Sequence, residues 1–152
     1  MSQMHARDAL VGAWRLVSWE NQAADGQVSY PMGTNPIGYV IYTGEGRFSV
    51  TISRRGRAGF AAADLLGGTT EEQARAVEGF VAYAGRYRFH GDRVIHHVEL
   101  SLFRNWVGTD QQRWVELAGD RLTLSASPLL LAGTQQVPRL VWERVDPSSD
   151  VD

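Results

Sequence analysis

Cysteine and lysine are both missing from this 152-residue chain. Without a thiol there is no disulfide, no zinc-thiolate or iron–sulfur ligation and no thiolate nucleophile. Without an ε-amine there is no Schiff base, and therefore no lysine-anchored pyridoxal cofactor; all 15 basic residues are arginine. Long apolar runs are absent too, none approaching the roughly 20 residues that a bilayer-crossing helix needs. The leading segment Met1 to Asp8 has no apolar stretch of the kind a secretory leader carries, so the expectation is a cytoplasmic protein with no membrane partner. Charge of one sign is equally scarce: the formal net charge is -2 and the arginines are dispersed, so nucleic acid is not an expected partner. The short cluster Arg54-Arg55-Gly56-Arg57 reads as a solvated loop after a strand. There is no dinucleotide fingerprint, P-loop, G-x-S-x-G elbow or H-E-x-x-H helix, and no cofactor is expected.

What is present describes one folded domain over residues 1–152, with a frayed tail after Asp146. Hydrophobic residues make up 43% and charged residues 21%, a globular balance. Glycine-centred turns at Asp25-Gly26, Gly44-Glu45-Gly46, Gly91-Asp92 and Gly119-Asp120 separate segments rich in β-branched and aromatic residues. In the last two, Gly precedes a polar residue, which suits a two-residue hairpin with positive φ at its first central position. Strands are expected near 12–22, 36–43, 46–54, 85–90, 93–103, 111–118, 121–127 and 138–145, with a weaker one near 27–30. Alternation is clear in Phe48, Val50 and Ile52 against Ser49, Thr51 and Ser53, and in Leu122 and Leu124 against Arg121, Thr123 and Ser125. The fold class is thus all-β: a closed, up-and-down antiparallel barrel of about eight to nine strands.

One α-helix is expected inside this pattern, over residues 69–84. Thr69 or Thr70 can cap it, Glu72 or Gln73 can complete a capping box, and Gly85 stands where a C′ residue belongs. Val77, Phe80, Val81 and Ala84 form its apolar stripe. It either plugs the core or covers a barrel mouth as a lid.

Several segments resemble the bacterial and fungal lipocalin-like domain family: Leu10-Val11-Gly12-Ala13-Trp14-Arg15-Leu16-Val17-Ser18, Pro36-Ile37-Gly38-Tyr39-Val40-Ile41-Tyr42, His96-His97-Val98-Glu99 and Asn105-Trp106-Val107-Gly108. Asp120-Arg121-Leu122-Thr123-Leu124 and Leu140-Val141-Trp142 extend the likeness over most of the chain. The resemblance implies a barrel that holds a small molecule. The Gly12-x-Trp14 pair also resembles the start of the first strand in true lipocalins, which implies that Trp14 closes the barrel floor and that Arg144 packs across it, through a cation–π contact and donors to local carbonyls.

Residues two apart on a strand share a face. On 93–103 that rule groups His96 with Val94, Val98 and Leu100, facing inward, and puts His97 and Glu99 outside, where two metal-ligand types lack a third; no metal site is expected. On 111–118 it turns Arg113 inward with Val115 and Leu117. On the first strand it sets Ser18 and Glu20 in line with Trp14 and Leu16. Glu20, His96 and Arg113 would then form a polar trio among apolar walls, to be satisfied by one another or by a ligand. His96 reads equally as a hydrogen-bonded core histidine, and Arg113 as one half of a structural ion pair. Tyr39, Phe48, Tyr87 and Phe89 are the candidate wall residues, with Tyr83 and Trp106 nearer a mouth.

Two functions fit these residues. In the first, the barrel binds a small, mostly apolar organic molecule bearing a carbonyl or carboxylate, oriented by Arg113 and His96. In the second, a cofactor-independent isomerase, cyclase or hydrolase uses His96 as general acid or base, with Glu20 setting its protonation. A structural interaction domain, or a homodimer, would instead use an outward aromatic patch around Trp19 and Trp114.

Overall fold

The computed structural model describes residues 3–146. Ten antiparallel strands form one sheet: β1 (Gly12–Ala23), β2 (Val28–Ser29), β3 (Ile37–Tyr42), β4 (Arg47–Ser53), β5 (Phe80–Phe89), β6 (Arg93–Ser101), β7 (Asp110–Ala118), β8 (Arg121–Ser125), β9 (Leu129–Leu131) and β10 (Thr134–Arg144). Their order is β2-β1-β3-β4-β5-β6-β7-β8-β10-β9, and β1 also pairs with β10, from Trp14↔Arg144 to Ala23↔Gln136. That pairing closes an eight-stranded barrel and leaves the short β2 and β9 as appendages. The two foreseen hairpins are present: His90 N–H donates to the Arg93 carbonyl at 2.9 Å, Ala118 opposes Arg121, and Gly91 and Gly119 take φ of 91° and 62°. The tail after Asp146 lies outside the described residues.

Trp14 and Arg144 lock the closure at the floor. Arg144 lies 4.2 Å from the Trp14 ring centroid and donates to the Val11 carbonyl (2.9 Å) and the Ala9 carbonyl (2.7 Å). Trp14 Nε1 donates to the Leu10 carbonyl at 2.9 Å. Those acceptors belong to the end of a helix that the sequence pattern did not reveal, α1 (Gln3–Leu10), whose last residue is fully buried beneath the barrel. The last carbonyls of a helix have no intrahelical donors, so the arginine and tryptophan supply them. Gly12, at φ 133°, passes so close that a Cβ there would stand 2.8 Å from an Arg144 guanidinium nitrogen.

The mid-chain helix is shorter than the 69–84 expected. α2 spans Thr70–Glu78, with the foreseen capping box between Thr69 and Glu72, and it stops at Gly79, not at Gly85. Phe80, Val81 and Ala84 belong instead to β5, because β4 offers a full-length partner from Ser53↔Phe80 to Arg47↔Arg86. Ladder bonds and burial of Tyr83 outweigh a helical stripe that left no α2 side chain buried. α2 is therefore no plug. It rests on the preceding loop, where Arg57 donates to the Ala76 carbonyl and Glu72 accepts from the Ala61 N–H. The arginine cluster is partly spent on the β2–β3 connection, Arg54 donating to the Pro31 carbonyl and Arg55 to that of Asn35.

Replacing Arg144 by Met keeps apolar volume beside Trp14 but removes the charge and both carbonyl donors. Urea denaturation of Arg144→Met is expected to show a loss of about 2–3 kcal/mol. A midpoint equal to that of the wild type would show that the floor contact contributes nothing to stability.

Candidate functional site

Alternation sends Phe48, Val50 and Ile52 of β4, Val94, His96 and Val98 of β6, Arg113 and Val115 of β7, and Leu122 and Leu124 of β8 into the barrel. His96 is fully buried. Its ring stacks on Phe48, with centroids 4.2 Å apart and planes 12° from parallel, and its Nε2 lies 2.7 Å from the Tyr42 hydroxyl. Tyr42 in turn meets the Tyr87 ring edge-on at 4.9 Å, and Tyr83 meets Phe48 the same way at 5.6 Å.

Burial, and then the nearby Arg113 guanidinium, hold the His96 imidazole well below its ordinary 6.5. Burial, followed by neighbouring Tyr83, raises the Tyr42 hydroxyl well above 10.0. A neutral imidazole therefore faces a phenol that keeps its proton. The Tyr42 hydroxyl donates to Nε2, and the ring proton is assigned to Nδ1. Nδ1 has no hydrogen-bond partner in the protein. Among the described residues the only other buried side-chain nitrogen or oxygen without one is Nε1 of Trp142, also an N–H donor.

Beyond this cluster lies a cavity of about 60 Å³, lined by apolar side chains that include Val50, Ile52, Leu124 and Leu140, by the indoles of Trp19, Trp106 and Trp142, by Tyr83 and by Arg113. Arg113 is only 8% exposed. Its guanidinium donates to the Gln112 carbonyl at 3.0 Å and lies 5.5 Å from the Trp106 ring centroid. Among the described residues it forms no ion pair; the carboxylates that do pair are engaged at the surface. The ion-pair reading of Arg113 is thus replaced by that of a buried cation held by one carbonyl and one aromatic face. Trp106 comes from a single 3-10 turn, Arg104–Trp106, in the β6–β7 connection, and its ring stands perpendicular to Tyr83 at 5.0 Å. α2 supplies no side chain to this wall.

Glu20 does not join His96 and Arg113. A bulge between Leu16 and Ser18 shifts the β1 register, so that Trp19 opposes Leu140 and Asn21 opposes Pro138 on the inner face, while Glu20 opposes exposed Arg139 outside. Ser18 is half-buried beside the bulge. The same shift overturns the aromatic patch: Trp19 is buried and donates to Asn21 Oδ1 at 2.8 Å, leaving only Trp114 exposed. Tyr39 also faces outward, 39% exposed, because Tyr42↔Phe48, Val40↔Val50 and Gly38↔Ile52 are the inward pairs of β3 and β4. Tyr42 is the residue missed, and the signal for it was its position opposite Phe48 across the Gly44-Glu45-Gly46 turn. Trp19 and Trp142 were missed as wall residues. Tyr87 and Phe89 are buried, Tyr87 donating to the Thr43 carbonyl at 2.7 Å towards the floor. A second bulge, at Ala84/Gly85, exposes Leu100. His97 and Glu99 lie on the outer face, His97 Nδ1 2.8 Å from Asp110 Oδ1, and Glu99 accepting from Arg47 at 2.9 Å.

A family model described as a lipocalin-like domain matches residues 11–145. A curated relative, the 4'-hydroxy-3'-methoxypropiophenone carrier protein ppsC of Aspergillus oryzae, is 37% identical over 106 residues, which is 64% of this chain and 96% of that protein. Among solved structures, EF1p2_mFAP2b bound to DFHBI superposes with a TM-score of 0.46 at 12% identity, covering 95% of this chain and 100% of the other. No helix among the described residues is long and apolar enough to cross a membrane.

Because the folded state holds His96 neutral below the pH at which an unfolded histidine takes up its proton, the unfolded chain binds more protons there. Stability is then greatest above about pH 6.5 and declines as pH falls towards the depressed folded value, by at most about 1.4 kcal/mol per unit. Urea titrations of the wild type and of His96→Gln between pH 7.5 and 5.5 isolate this term as their difference. Parallel pH profiles would mean that His96 titrates as it does in the unfolded chain.

Proposed function

The chain belongs to the lipocalin-like domain family, and from that premise we propose that it is a carrier whose barrel takes up a small, mostly apolar organic molecule through a carbonyl or carboxylate oriented by Arg113. The barrel and the carrier-protein relative support small-molecule binding. The observation that carries the finer reading is Arg113: a guanidinium keeps its charge at every physiological pH, and enclosing one without a carboxylate is unfavourable unless a ligand oxygen meets it. The apolar walls accept the rest of such a molecule.

The cavity is smaller than the roughly 300 Å³ or more that organic ligands fill. The cavity must therefore enlarge, and displacement of the half-buried wall residue Trp106, carried on a short turn with no side-chain cap, would admit a ring-sized molecule. The rival reading, acid–base catalysis by His96, has lost Glu20 and faces a histidine already bonded to Tyr42. The carrier reading is favoured.

4'-Hydroxy-3'-methoxypropiophenone is a suitable probe, since it unites an aromatic body with a carbonyl and is named as the cargo of the relative. Titrating it against the protein is expected to quench tryptophan fluorescence, because Trp19, Trp106 and Trp142 line the cavity. Arg113→Met should weaken binding about tenfold or more while leaving thermal stability equal or higher, as removal of an unpaired buried charge does. A variant that binds as tightly as the wild type but melts earlier assigns Arg113 to structure alone. Unchanged probe chemistry after prolonged incubation is the outcome expected of a carrier, and conversion abolished by His96→Gln would transfer the assignment to catalysis.

A further inference from the structure

Among the described residues, the buried side-chain polar atoms left without a partner are Nδ1 of His96 and Nε1 of Trp142, both N–H donors with the His96 ring proton assigned to Nδ1. Arg113 offers guanidinium N–H groups beyond the one used on Gln112, His96 offers Nδ1–H, and Trp142 offers Nε1–H. The other inward indoles differ: Trp14 and Trp19 each donate to a protein oxygen, at 2.9 and 2.8 Å. Trp142 is 1% exposed, belongs to the cavity wall and sits in the middle of a closed ladder, opposite Leu16 on one side and Leu122 on the other, so neither its backbone nor its ring can turn to water. An indole has no acceptor atom. A buried N–H fixed in this way is satisfied only by an oxygen or nitrogen lone pair brought into the cavity.

Resting on the carrier reading, we propose that Trp142 is a specificity-determining residue: its indole N–H selects ligands with a second, neutral acceptor oxygen, such as an ether, ketone or hydroxyl, in addition to the one that meets Arg113. A wall made of donors and aromatic faces around a fixed positive charge also rejects amines and other cations. The ligand class is an oxygenated aromatic or alicyclic compound with at least two separated oxygens and no basic nitrogen. A molecule with a single oxygen satisfies Arg113 and leaves Trp142 as it was. One with two satisfies both.

The test compares 4'-hydroxy-3'-methoxypropiophenone with propiophenone, which keeps the ketone and lacks both ring oxygens. In the wild type the oxygenated compound is expected to bind about tenfold more tightly, the usual scale of one buried hydrogen bond. In Trp142→Phe that preference should collapse to within about twofold by the same reasoning. A readout on the wild type alone guards against misfolding of the variant: in ¹H–¹⁵N spectra the Trp142 indole resonance should move downfield with the oxygenated ligand and much less with propiophenone, while the Trp14 resonance, already bonded to a carbonyl, stays in place. Tight binding of both compounds with an unmoved Trp142 resonance, or a preference that survives in Trp142→Phe, overturns the role of Trp142 and leaves the carrier reading standing. Failure of both compounds to bind the wild type overturns both.

Discussion

Pairing of β1 with β10 is the constraint from which the rest of the molecule follows. A sheet of eight strands can stay open and bury one face against helices, or close on itself and bury that face against its own far side. The two short α-helices among the described residues cover no sheet face, so closure is the way the inward side chains leave water. The closing pair is also where α1 is held, because Arg144 reaches from the last strand to carbonyls just ahead of the first. Floor, seam and N-terminal helix are thus one mechanical unit. An eight-stranded barrel closed at one end leaves interior room only towards the other, and that is where the cavity lies.

Closure also makes strand phase decisive, since a side chain that misses the interior reaches solvent. Strands with one apolar and one polar face were legible: β4 and β8 fix their phase in composition alone, and His96 and Arg113 follow from regular alternation on β6 and β7. The irregular places were not. A bulge carries no residue signature strong enough to read in Val17-Ser18, yet it exchanges Glu20 for Trp19 and Asn21 on the inner face. β3 is apolar on both faces, so Tyr39 and Tyr42 compete on equal terms until register with Phe48 decides. In Phe80–Ala84 a helical stripe and a β-rich composition coexist, and only the presence of an open partner edge on β4 settles which prevails. α1 lacks an apolar stripe of its own and is ordered by contacts more than a hundred residues away in sequence, such as Arg144 on the Ala9 carbonyl.

The site inherits its character from these same choices. With Glu20 outside, no carboxylate among the described residues is buried in the barrel to neutralise Arg113 or to raise the basicity of His96. Tyr42 keeps its proton, because burial pushes its hydroxyl well above the ordinary range, and His96 Nε2 is taken by that hydroxyl. The interior therefore presents a positive charge and N–H donors to whatever enters. This is a poor arrangement for general base catalysis, which needs an available lone pair of matched basicity, and a good one for holding an oxygenated molecule without altering it.

The absence of lysine bears on this last point. A lysine enclosed at position 113 would escape the desolvation cost by losing its proton, leaving a neutral amine and a weaker hold on a ligand oxygen. Arginine has no such escape. It stays charged, is the more weakly hydrated of the two cations, and places its guanidinium over the Trp106 ring, 5.5 Å from the centroid. On the proposed carrier reading, the residue that meets the ligand oxygen is also the one in contact with the wall residue whose displacement would enlarge the cavity. On that reading, binding at Arg113 and the position of Trp106 would be coupled, since a ligand oxygen that draws the guanidinium inward would weaken its contact with the indole.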